Sequence, residues 1–65
     1  MNQDRFEGQW KRLKGQAREH WARLTDDDVE QVQGQRERLI GKLQEKYGET
    51  RARAEQMIKD FERKA

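Results

Sequence analysis

Side chains able to attack a substrate, move a proton or hold a metal are scarce in this sequence. It contains no cysteine and no serine, so the commonest nucleophiles are missing, and neither a disulfide framework nor a thiolate zinc site can be built. The single histidine, His20, falls at the edge of an apolar stripe, and nothing near it in the sequence supplies the orienting partner that a general base requires. Thr25 and Thr50, the two threonines, each stand just before a helical pattern and read better as caps than as nucleophiles. The sequence therefore predicts no catalytic residue, no cofactor and no metal ligand.

Two charged groupings remain. Asp26, Asp27, Asp28 and Glu30 invite a hard-cation reading, yet consecutive aspartates at a helix start point in different directions. The alternating spacing and turn glycine of a calcium loop are absent. Negative charge at the positive end of a helix dipole explains the run without a ligand. The second grouping is basic. Lys11, Lys14 and Arg18 crowd one flank of the first helical pattern, and Arg38, Lys42 and Lys46 form an i, i+4, i+8 row on the third. Like charges at that spacing mildly destabilise a helix, so they call for a reason. Nucleic-acid phosphate, another anionic surface or a protein partner would supply one, against the plainer reading of a solvated charged face. A formal charge of only +2 and the lack of a base-reading module favour the plainer reading.

The elements that must carry these groups follow from periodicity. Phe6, Trp10, Leu13, Ala17, Trp21 and Leu24 recur every three or four residues, which places them in one sector of a helix over about 4–22, started by Asn2 or Asp4. Gly8 and Gly15 lie opposite that stripe and mark either a weak point or tolerated helix glycine. Thr25 opens a Thr-x-x-Asp capping signature for a short helix, about 26–33, which shows Val29 and Val32 and ends at Gly34. Leu39, Ile40, Leu43 and Tyr47 give a third helix, about 35–47, closed by Gly48. Thr50 caps a fourth, about 50–64, bearing Ala54, Met57, Ile58 and Phe61. Acid-first i,i+4 pairs accompany these helices: Glu7 with Lys11, Glu19 with Arg23, Glu49 with Arg53, Glu55 with Lys59 and Asp60 with Lys64.

A diverged repeat links the halves. Gly8-Gln9-x-x-Arg12-Leu13-x-Gly15-x-x-x-Glu19-x-Trp21 aligns with Gly34-Gln35-x-x-Arg38-Leu39-x-Gly41-x-x-x-Glu45-x-Tyr47, and Thr25 aligns with Thr50. The expected fold class is all-α: a small bundle of about four helices arranged as two packed, crossed αα-hairpins within one domain, 1–65. Its core should gather Trp10, Leu13, Trp21, Leu24, Leu39, Leu43, Tyr47, Ile58 and Phe61. At 65 residues, 43% charged and 31% hydrophobic, that core must be thin, but the small net charge argues against disorder. No apolar run approaches a membrane span or a signal-peptide segment, so the expected location is the cytoplasm.

The combination of Trp10-Lys-x-Leu13-Lys-Gly15, Trp21-x-x-Leu24-Thr-Asp-Asp-Asp28 and Gly34-x-Arg36-x-x-Leu39-x-Gly41-Lys-x-Gln44-Glu-x-Tyr47-Gly48 resembles the CsbD-like bacterial general stress proteins. The resemblance covers essentially the whole chain. Phe61 departs from it, standing where the family more often has tryptophan, which alters core volume. The resemblance implies a small, helical, cytoplasmic protein produced under stress, with two crossed hairpins and no established catalytic residue. The expected function is thus non-enzymatic and protective, through weak contacts with proteins or nucleic acid. The alternatives are a nucleic-acid-binding module using the basic rows, or an adaptor that docks a partner helix on the glycine-bearing faces.

Overall fold

The computed structural model describes residues 3–64, among which four helices form and no strand does. α1, Gln3–His20, buries Phe6, Trp10 and Ala17 on one side and leaves the opposite side to solvent, as the spacing requires. Asn2 lies outside the described residues. Asp4 sits in the first turn, where its charge faces the positive end of the helix dipole. The helix runs unbroken through Gly8 and Gly15, both exposed, with open space where a Cβ would stand. It stops at His20, short of Trp21 and Ala22. The Trp21 N–H still reaches the Ala17 carbonyl at 2.8 Å, but the Leu24 N–H then bonds the Trp21 carbonyl at 3.0 Å. That turn carries the Trp21 indole inward against Phe61, with ring centroids 4.7 Å apart.

α2, Asp26–Val32, is seven residues long, far below the length at which a helix holds itself in water. Val29 and Val32 anchor it in the core. It ends at Val32, one residue short of the expected 33, because Gln33 already takes a left-handed conformation at φ 50°. Gly34 continues the turn at φ 73°, and a Cβ there would lie 3.0 Å from Glu7 Cγ. Glycine is needed at that point for both reasons.

α3, Arg36–Tyr47, closes on Gly48, whose N–H donates to the Gln44 carbonyl at 2.9 Å from a left-handed φ of 65°. α4, Arg51–Lys64, starts on Thr50, whose Oγ1 accepts from the Arg53 N–H at 3.1 Å.

The four helices form an all-α bundle in which α3 is central, packing on α1, α2 and α4. Leu39, Ile40 and Leu43 are completely buried, each contributing about 1.5–3 kcal/mol of transfer free energy. Around them close Trp10, Trp21, Leu24, Ile58 and Phe61, joined by Phe6, Ala17, Val29, Val32 and Ala54; Leu13, Tyr47 and Met57 are half-buried at the margin. The Cα radius of gyration, 10.4 Å, is that of a well-compacted chain of this length. The two halves of the sequence repeat are not conformational copies throughout. Gly15 and Gly41 both sit exposed within helices, but Gly8 is helical where Gly34 is a buried left-handed turn, so α1 extends further toward its N-terminus than α3 does.

Candidate functional site

The acidic start of α2 and the two basic rows turn out to belong to one arrangement. Thr25, extended at φ −87° and ψ 171°, accepts at Oγ1 from the Asp28 N–H at 3.1 Å, and the Thr25 N–H donates to Asp28 Oδ2 at 3.0 Å. That reciprocal capping box satisfies two backbone donors and fixes the Asp28 carboxylate in place. It is a nearly buried charge, its side chain only 7% exposed. Lys42 Nζ reaches Oδ1 at 3.3 Å and Lys46 Nζ reaches Oδ2 at 3.4 Å. The Thr25 N–H foremost holds the Asp28 pKa down at about 2; burial opposes this, and Lys42, the Thr25 hydroxyl and Lys46 reinforce it.

The whole α3 row tracks α2 in the antiparallel sense. Arg38 donates to the Gln31 carbonyl at 3.2 Å and to Gln33 Oε1 at 2.7 Å, placing a cation on the negative end of the α2 dipole. Lys42 also donates to Gln31 Oε1. On the other flank, Arg18 pairs with Asp26 at 2.6 Å and Lys14 with Glu30 at 3.5 Å. Both of these pairs are well exposed, so each is weak compared with the pairs at Asp28. Five of the six basic residues singled out by spacing thus engage α2, and the repulsion within each row is answered by α2 lying between them.

Lys11 is the exception. It has no ion pair among the described residues and stands on the rim of a groove of about 370 Å³ between α1 and α2, over Trp10 and Val29. Glu7 lines the same groove without pairing to Lys11. None of the acid-first i,i+4 pairs expected from the sequence closes among the described residues. Glu55 instead takes Arg51, which also holds Glu37, and Asp60 takes Arg63 and Gln56. Arg23 leaves Glu19 for the end of α3, donating to the Lys46 carbonyl at 3.4 Å with its guanidinium over the Tyr47 ring.

His20 is exposed, its ring against Trp21 and Phe61 at centroid distances of 5.0 and 5.1 Å. No hydroxyl or carboxylate orients it among the described residues. No group of three or more histidine, aspartate or glutamate side chains gathers to hold a metal ion among them either. What the arrangement does is bring ammonium and guanidinium groups from both flanks onto the carboxylates and the C-terminal end of α2. Asp28, read from the sequence as one of three similar aspartates, is the hub of this arrangement. The available signal was the turn at Gly34: folding the chain there sets Gln31 opposite Arg38 and Asp28 opposite Lys42.

The profile of the CsbD-like family matches residues 4–56. The chain belongs to the CsbD-like family. This is a family of bacterial stress-response proteins, and its curated members include UPF0337 proteins similar to this chain along nearly its full length. One from Pseudomonas aeruginosa is 51% identical, covering 94% of this chain and 94% of its own length. Another, from Protochlamydia amoebophila, is 48% identical, covering 98% and 97%. UPF0337 protein YjbJ of Escherichia coli is 45% identical, covering 95% and 90%. No solved structure matches the chain. The residues by which the chain resembles the CsbD-like family are largely structural: Trp10, Trp21, Leu24 and Leu39 are core, Thr25 and Asp28 form the capping box, and Gly34 and Gly48 make the left-handed turns. Phe61 lies beyond the matched residues and fills the core beside Trp21. Among the described residues no helix is long and apolar enough to cross a membrane.

Proposed function

We propose that this CsbD-like chain acts as one domain, in the cytoplasm, as a non-enzymatic stress-response protein that works through contacts with other macromolecules. Family membership over nearly the whole length supports the stress role. The observation that carries the non-enzymatic reading is the position of His20, exposed and packed edge-on to Trp21 with Phe61 beside it rather than set beside a nucleophile or an orienting carboxylate. The basic rows, already engaged by α2, supply the charge through which contacts would be made. A strain of the source bacterium lacking the protein should survive osmotic, heat, oxidative or stationary-phase stress less well. The His20→Ala variant should restore survival as fully as the natural chain. Normal survival under all four challenges would contradict the stress role, and failure of a folded His20→Ala variant to rescue would contradict the non-enzymatic reading.

A further inference from the structure

The carboxylates of α2 show what the basic rows are able to hold. Asp28 places its two oxygens on Lys42 and Lys46, Asp26 places one on Arg18, and Glu30 places one on Lys14. These are anionic oxygens strung along one short element and received by cations on both of its flanks. We propose that the basic flanks of α1 and α3 form a surface for the phosphate backbone of duplex nucleic acid, whose cations the carboxylates of α2 engage in the free protein as phosphate mimics, while α2 itself stays anchored by Val29 and Val32. This deepens, and rests on, the reading of the protein as one that acts through macromolecular contacts.

Charge complementarity selects the partner class. The rows are lysine and arginine alone, without the asparagine, glutamine or acidic side chains that recognise adenine and cytosine edges, so they suit a repeated backbone charge and predict binding independent of sequence. A lipid surface is the poorer match, because Trp10, Trp21 and Phe61, which an interfacial helix would insert, are buried. Masking is strongest at the buried Asp28 and weakest at the exposed Lys14–Glu30 and Arg18–Asp26 pairs, so the α1 flank is the one that opens first.

The test compares two variants of equal charge. Asp26→Asn with Glu30→Gln frees Arg18 and Lys14. Asp27→Asn with Glu45→Gln adds the same net charge but opens no ion pair, since neither residue makes one among the described residues. Binding to a short mixed-sequence DNA duplex is measured across a range of salt. The unmasked variant should bind about tenfold tighter at low salt, with a log–log salt slope steeper by about 2, and the charge-matched variant should stay near the natural protein. Adding Lys14→Gln and Arg18→Gln to the unmasked variant should abolish the gain. An equal gain in both variants, no gain in either, or a gain that survives removal of Lys14 and Arg18 would overturn the proposal. So would a gain confined to phosphatidylglycerol vesicles or to an acidic protein. If circular dichroism shows that Asp26→Asn unfolds the chain, Glu30→Gln alone, outside the capping box, should steepen the slope by about 1, and an unchanged slope overturns the proposal. Survival of the deletion strain is read separately, so loss of the binding result leaves the stress role standing.

Discussion

Three consecutive aspartates meet three different environments. Asp26 is exposed on Arg18, Asp27 is exposed with no ion pair among the described residues, and Asp28 is buried between Thr25, Lys42 and Lys46. Asp28→Asn should therefore destabilise the protein by about 2 kcal/mol at neutral pH, the order expected for a carboxyl held at about 2 rather than 3.8. Asp27→Asn should cost only a dipole contribution of roughly 0.3–1 kcal/mol. Because the Asp28 pKa is depressed on folding, its contribution is complete above pH 3.8 and is lost as pH falls toward 2. Urea unfolding at neutral pH and near pH 2 should accordingly show the gap between Asp28→Asn and the natural chain closing in acid. The capping box was legible in the sequence because Thr-x-x-Asp is a local pattern. The two lysines were not, because which long side chain reaches Asp28 depends on how α2 and α3 align. The same limit explains the i,i+4 pairs: exposed side chains with several partners in reach settle by tertiary geometry, as Arg23 does on Tyr47.

At the scale of elements, helices were legible where apolar spacing was sustained and turns where glycine follows the last periodic residue. Gly48 serves as expected, while Gly34 does more than end α2, since a Cβ there would crowd Glu7 Cγ at 3.0 Å. Gly34→Ala should therefore destabilise the chain by about 1–2 kcal/mol, from the left-handed φ alone, with the approach to Glu7 adding to it. Gly8 and Gly15 give the opposite result. Both are helical, exposed and clear of neighbours, so Gly8→Ala and Gly15→Ala should each stabilise by roughly 0.5–1 kcal/mol, read as an upward shift in the thermal midpoint. The sequence left open whether these glycines break α1, because composition alone weighs a glycine's cost without showing the packing that carries the helix past it. Phe6, Trp10 and Ala17, all buried along α1, supply that packing.

At the scale of the molecule, charge is arranged to reinforce a thin core. The segment holding α2 carries four acidic and no basic residues, and it lies between segments that are net basic. In the fold that acidic segment lies along α3 and α1, so charges segregated along the chain are brought into ion pairs in space. The apolar stripes made the all-α class legible, but the central place of α3 was not, because every helix presents a similar stripe and only packing decides which is enclosed by the other three. The fit of α2 between the basic rows is the claim from which the rest follows, and titration of the Asp28 carboxyl by NMR tests it most directly. The midpoint should lie at about 2 in the natural chain and rise toward 3.8 when Lys42 and Lys46 are both changed to glutamine, without reaching it while the Thr25 cap persists. An Asp28 that titrates at 3.8 in the natural chain, or one indifferent to the loss of both lysines, would contradict it.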